Sequence, residues 1–238
     1  MNPNKLTLSA GFATLGIAQL IAASPMPPIE KPASNGEKPR NVIFILSDDH
    51  RYDFMGFMGA VPWLQTPALD RLAREGAHLK NAFVTTSLSS PSRASILTGQ
   101  YTHTHTVVDN LALRPDDLVF FPQYLQQQGY KTAFYGKWHM GNNDDEPQPG
   151  FDHWEGFRGQ GSYYNTVLNI DGKRTQFDPE LYSTDILTDH ALDFIRDNKD
   201  GQFFVYLSYK SVHSVTQASP SRKGMYKNKD IVYPPSFD

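Results

Sequence analysis

The chain has no cysteine among its 238 residues. Disulfides are therefore excluded, and an exported form must draw its stability from its core. The cysteine that anchors a bacterial lipoprotein is missing too. Basic runs are also lacking: 22 Lys and Arg face 25 Asp and Glu, the formal charge is −3, and no Lys/Arg block resembles a nucleic-acid-binding arm. There is no internal repeat and no low-complexity tract. Beyond the N-terminus no apolar run is long enough to span a bilayer. What remains is a chain long enough for one large domain with a real core, or two small ones. Its 17 Gly and 17 Pro fit a loop-rich enzyme.

The N-terminus differs from the rest. Lys5 precedes an apolar, small-residue run from Leu6 to Ala23, and Ala22-Ala23-Ser24 offers a cleavage site. Residues 1–24 read as a signal peptide that engages the export machinery and sends the protein to the periplasm or the medium. Ser9, Thr14 and Gln19 interrupt the run, which argues against a stable membrane anchor. Residues 25–40 read as a flexible linker, and the folded domain is expected from Asn41 to the end at 238.

Asn41–Leu46 is a continuous apolar run, expected as a strand buried on both faces, ending at Ser47-Asp48-Asp49. Thr66-Pro67 opens a helix whose inner face carries Leu69, Leu72 and Ala73 and which Gly76 stops. Ala82–Thr86 reads as a short strand leading to Ser89, and Pro122–Gln128 as a short helix closed by Gly129. Lys131–Tyr135 reads as a strand that delivers Gly136-Lys137-Trp138-His139. Tyr163–Gln176 alternates around Asp171-Gly172, a hairpin signal. Ser183–Asn198 is an amphipathic helix facing inward through Leu187, Ala191, Phe194 and Ile195. Phe203–Leu207 is a buried strand running into Lys210 and His213. Strands alternating with helices predict an α/β domain with a mainly parallel sheet, whose ligands gather at the carboxyl ends of the strands. Asp48-Asp49, Lys137-His139 and Lys210-His213 all fall at predicted strand ends, and Ser89 follows one.

The segment Ser89-Ser90-Pro91-Ser92-Arg93, running on to Thr98-Gly99, carries the sharpest chemistry. Pro91 suits a first helical position and Ser90 an N-cap. Ser89 then sits at a helix N-terminus, where free N–H groups favour negative charge. Arg93 adds a forked cation suited to oxyanions. Asp48 and Asp49 are adjacent carboxylates whose oxygen-only donors favour Ca²⁺ or Mg²⁺ over zinc. Lys137 and His139 are two apart, so on a strand they would point the same way, one as fixed charge and one as proton carrier. His103 and His105 fit structural or rim roles, while His50, His78, His153 and His190 have no evident chemical context. Together these residues describe a pocket for sulfuryl or phosphoryl transfer.

The pattern resembles the type I sulfatases of the alkaline phosphatase superfamily. The resemblance rests on Ser89–Gly99, Asn41–Asp49, Thr66–Leu72 and Gly136–Gly141. It implies an α/β/α sandwich of alkaline phosphatase type, with this chain as its N-terminal portion. It further implies that Ser89 is converted to formylglycine by a radical maturase that uses S-adenosylmethionine. The hydrate would attack the sulfur of a sulfate ester, then eliminate sulfate. Carried over by position, Asp48, Asp49 and the modified Ser89 would bind Ca²⁺, and Arg93 and Lys137 would hold the hydrate and sulfate. His139 would take the proton that drives elimination, and His213 would bind sulfate and assist the leaving oxygen. Lys210 has no implied role. Gly159–Asn165, Asn169–Lys173 and Tyr182–Thr188 resemble the subgroup acting on sulfated glucosamine of glycosaminoglycans and mucins, so the expected partner is a sulfated carbohydrate. The alternatives are a phosphomonoesterase or phosphonate hydrolase on the same scaffold, and a non-catalytic glycan-binding relative. In this chain His213 lacks the neighbouring prolines common in the family, and the family usually continues beyond Asp238 with further calcium ligands and a second lysine.

Overall fold

The computed structural model describes residues 27–30, 36, 38–141 and 143–237. The signal peptide expected over 1–24, and part of the expected linker, lie outside the described residues. Buried apolar runs pair first. β1 (Val42–Leu46), β2 (Lys131–Lys137), β3 (His153–Phe157) and β6 (Phe203–Ser208) are mutually parallel, while β4 (Val167–Ile170) and β5 (Lys173–Gln176) add an antiparallel hairpin. The sheet order is β1-β6-β2-β3-β4-β5. β6 is central and every residue in it is buried, as expected of its unbroken Phe/Val/Leu pattern.

Helices cover both faces. On one, α2 (Ser89–Thr98) and α4 (Phe121–Gln127) enclose Leu97, Phe120, Phe134, Trp138, Trp154 and Phe204. On the other, α5 (Ser183–Asn198) buries Ile186, Leu187 and Ala191 against Ala133, Tyr135, Val205 and Leu207. The α5 boundaries match the sequence reading, because its apolar positions recur at helical spacing. The result is the expected α/β/α arrangement with a mainly parallel sheet. α1 (Pro67–Glu75) and the short α3 (Thr102–His105) lie outside the sheet.

Several expectations are corrected. β1 is an edge strand, not one buried on both faces. Phe44 and Leu46 pack against the α2/α4 core, whereas Ile43 and Ile45 are 48% and 58% exposed. α1 buries no residue, and Leu72 is 65% exposed. Residues 82–86 pair with no strand: 82–84 are irregular and 85–86 begin a run of bends that leads to α2. The hairpin is shorter than read. Its turn does sit at Asp171-Gly172, with φ of +48° and +91°, the left-handed pair that an Asp-Gly turn provides. β3 was not foreseen: His-Trp-Glu-Gly-Phe has neither clean alternation nor a continuous apolar run.

Gly136 shows what brings β2 and β6 together. Its φ is +105°, and a Cβ there would lie 1.9 Å from the Ser208 carbonyl oxygen. Only a residue without a side chain permits that approach.

Candidate active site

The carboxyl ends of β1, β2 and β6 place the site. β1 leads through Ser47 to Asp48, which is 6% exposed. The Asp48 N–H donates to the Ser211 carbonyl at 2.8 Å, and the Val212 N–H donates to the Asp48 carbonyl at 2.9 Å. The turns that follow β1 and β6 are thereby locked together. β2 ends on Lys137, fully buried, and β6 ends on Ser208, also fully buried.

α2 begins at Ser89 with Leu88 at the N-cap, which corrects the expected Ser90 cap and places Pro91 in the third helical position. Proline is tolerated there because the third N–H of a helix has no intrahelical acceptor. Ser90 has other partners: its hydroxyl donates to the His139 carbonyl and its N–H donates to Asn110 Oδ1 at 3.0 Å. This serine thus ties the helix start to the segment after β2.

Asp48, Ser89, Arg93 and Lys137 come together at this edge. The Lys137 ammonium donates to Asp48 Oδ2, to Ser89 Oγ at 3.2 Å and to Gln160 Oε1 at 2.5 Å. An ammonium has three protons, and these acceptors can satisfy all of them. Arg93, 4% exposed, donates through Nη1 to the Lys137 carbonyl at 2.9 Å and to Ser208 Oγ at 2.5 Å, and through Nη2 to Asp48 Oδ2 at 3.4 Å. Arg93 Nε is buried with no hydrogen-bond partner among the described residues. A buried unpaired donor on a cation is costly unless an acceptor arrives.

The balance of charge points the same way. Burial, then the neighbouring Arg93, pushes Lys137 down to about 8 against the pull of Asp48, and Lys210 adds to the depression. Lys210 is itself lowered by burial. Three cations share one buried carboxylate, an excess that suits an incoming anion. A cleft of about 380 Å³ opens beside them, lined in part by Asp48, Asp49, His50, Ser89 and Arg93.

The other predicted residues are placed differently. Lys137 and His139 do not share a strand face, because β2 stops at Lys137 and His139 has φ +51°. His139 is buried, with its carbonyl bound by Ser90. Asp49 follows at φ +52° and lines the same cleft as Asp48, Ser89 and Arg93. It is largely exposed, with Oδ2 3.6 Å from His213 Nε2. Asp48 is buried and Asp49 largely exposed, and no group of three or more His, Asp or Glu suited to a metal occurs among the described residues. Asp48, Asp49 and Ser89 supply the hard oxygen donors that Ca²⁺ takes, but in smaller number than the six to eight it needs.

Gln160 and Ser208 were not singled out from the sequence. Ser208 lies at a strand end, where the carboxyl-edge rule could have found it. Gln160 is a neutral amide in a loop and carries no such signal. His105 is structural as expected: fully buried, it bonds Ser95 Oγ at 3.0 Å and the Val107 N–H at 3.1 Å. His153 and His190 do have a context that the sequence did not reveal, since Glu155, itself buried, bonds both at 2.9 and 2.6 Å.

Such an edge, with a hydroxyl at a helix start among buried cations, suits the binding of an oxyanion. A profile of the Sulfatase family matches residues 40–232. N-acetylglucosamine-6-O-sulfatase of Bacteroides thetaiotaomicron is 37% identical over 232 residues, covering 96% of this chain and 39% of that protein. N-acetylglucosamine-6-sulfatase of Capra hircus is 31% identical, covering 82% of this chain and 38% of its own length. A solved structure of a protein in complex with its substrate D-glucosamine-2-N,6-O-disulfate is 38% identical, covering 83% of this chain and 40% of its own, with a TM-score of 0.75. The chain belongs to the sulfatase family. It spans about two fifths of the length of these relatives.

Proposed function

We propose that this chain carries the sulfate-binding core of an exported hydrolase that cleaves sulfate esters of carbohydrates of the glucosamine 6-sulfate type. The observation that carries the reading is Lys137 donating to Ser89 Oγ at 3.2 Å inside a buried cationic cluster. The names of the relatives support the substrate class, and the Lys5–Ser24 pattern supports export. Among the described residues no helix is long and apolar enough to cross a membrane.

Formylglycine at position 89, made by a maturase, would supply a hydrated aldehyde as the nucleophile toward sulfur. Calcium, held by Asp48, Asp49 and residue 89 with further oxygens, would supply positive charge at the sulfate. The chain's own side chains do the rest. Lys137 orients residue 89 and balances Asp48. Arg93 braces the ends of β2 and β6 through Lys137 O and Ser208 Oγ while keeping Nε for an anion. His213 Nδ1 donates to the Ser214 carbonyl, which leaves Nε2 as the nitrogen that can move a proton to a leaving oxygen. His139 is assigned the proton at residue 89, and its segment is braced there by Ser90.

The test is a peptide mass spectrum across Ser89 from protein made with its maturase, together with paired aryl sulfate and aryl phosphate assays. The reading expects loss of two hydrogens at residue 89 and a sulfate preference. An unshifted peptide, or preferred phosphate cleavage, overturns it.

A further inference from the structure

Residues 211–218, which carry His213, contain no helix or strand, yet tyrosine hydroxyls fix their backbone. Tyr163 Oη donates to the His213 carbonyl at 2.7 Å, Tyr182 Oη to the Gln217 carbonyl at 3.0 Å and Tyr164 Oη to the Ala218 carbonyl at 2.8 Å. Thr184, in the first turn of α5, bonds Ser211 Oγ at 2.7 Å. At the other end, the strap between Asp48 and Ser211-Val212 ties the same segment to β1.

The tyrosines are themselves organised. Tyr163 and Tyr182 stack with ring centroids 5.8 Å apart and planes 7° from parallel. Tyr164 packs on Tyr182 at 5.4 Å, and the Lys210 ammonium lies 5.1 Å from the Tyr163 ring centre. Tyr163 is 3% exposed, and burial, followed by Tyr182 and Asp48, pushes its phenol up to about 12, so it remains a proton donor. The loop before β4 and the start of α5 thus converge on the carbonyls of one segment.

We infer that Tyr163, seconded by Tyr182 and Tyr164, is a positioning residue that holds the 211–218 segment so that His213 meets the leaving oxygen of the ester. This rests on the role proposed above for His213. It also gives a physical task to Tyr163-Tyr164 and Tyr182, which stand in two of the stretches that resemble the glucosamine-sulfatase subgroup. A side chain that only supports the fold would affect all substrates alike. One that aims a proton donor matters most when the leaving group is poor, because a good leaving group departs without protonation.

The test uses the full matured chain and the variants Tyr163→Phe and Tyr182→Phe, each of which removes one hydroxyl and keeps the ring. Hydrogen exchange is read at amides 211–218 and kcat on 4-nitrophenyl sulfate and on N-acetylglucosamine 6-sulfate. The expected result is exchange about fivefold faster over 211–218, one buried hydrogen bond's worth, with β6 unchanged. For Tyr163→Phe, kcat should fall about tenfold or more on the sugar ester and less than about twofold on the aryl ester. Unchanged exchange in both variants, or equal losses on the two esters, overturns the inference and leaves the sulfatase reading standing. A wild-type chain inert on both esters would overturn the sulfatase reading instead, and exchange alone would then decide whether the tyrosines clamp the segment.

Discussion

Replacing Gly136 by alanine should cost this fold more than any other single methyl group near the site. Two terms add. An alanine at φ +105° occupies a region that side chains rarely adopt, which costs about 1–2 kcal/mol. The new Cβ would also lie 1.9 Å from the Ser208 carbonyl oxygen and 3.2 Å from Leu187 Cδ1. Relief requires β6 to move by about 1.5 Å in a densely packed sheet, at a further ~1–3 kcal/mol or more. β6 is paired with β1 and β2 on its two sides, so it cannot shift alone. The total of about 2–5 kcal/mol is a large part of the ~5–15 kcal/mol that stabilises a typical domain. The comparison is Gly172→Ala. That residue has a similar φ of +91° with nothing within 4 Å of the added Cβ, so only the conformational term, about 1–2 kcal/mol, applies. Urea unfolding followed by tryptophan fluorescence suits both variants, since Trp138 and Trp154 are each 1% exposed. Equal losses for the two variants would show that β2 and β6 do not approach as closely as described.

Other perturbations separate charge from shape. Arg93→Lys should destabilise by about 2–3 kcal/mol in the same unfolding assay, because an ammonium cannot reach Lys137 O, Ser208 Oγ and Asp48 together. His153 is held above its usual value, chiefly by its bond to Glu155 and also by Asp171, with burial opposing. Its folded state thus prefers the proton. Its contribution should be full below about pH 6.5 and lost as pH rises through the folded value, and His153→Gln should flatten that slope in unfolding midpoints measured from pH 5.5 to about 8. For Asp145, burial opposes ionisation but the bonds to Arg174 and Arg158 prevail and hold the carboxyl low. Stability from this group is present above its ordinary value of 3.8 and lost as pH falls through the folded value. An acid titration in which Asp145→Asn follows the parent curve would contradict that.

How far the site could be read in advance depended on which residue property carried the signal. The α5 helix follows from the period of its apolar residues and the β6 strand from an unbroken apolar run, and Lys137 falls at the end of the strand read from Lys131–Tyr135. Period says nothing about which strand lies at an edge. Val42-Ile43-Phe44-Ile45-Leu46 looks the same in sequence whether or not a helix covers both faces, and only the sheet order shows that Ile43 and Ile45 have no such cover. Leu69 and Leu72 fail for a related reason: they form a helical stripe, but α1 has no sheet face beneath it. Residues 82–86 have strand composition and no partner strand.

The chemical pieces divide in the same manner. Ser89, Arg93 and Lys137 could be grouped because each stands in regular structure, whose geometry transfers from sequence, and Asp48 joins them two residues past the end of β1. Asp49, His139 and His213 stand in turns, two of them at positive φ, where a change in one backbone angle redirects the side chain. That is why adjacent carboxylates end in different surroundings, one among buried cations and one facing His213 in water. It also explains why the device that holds His213 lies in tyrosine hydroxyls up to fifty residues away in sequence. A segment without helix or strand needs its backbone acceptors filled from outside, and nothing in the pattern of the segment itself says which donors will do so. The place to look is the start of the preceding helix, α5, and the loop before the hairpin, since these are the elements that a parallel sheet brings to the same edge.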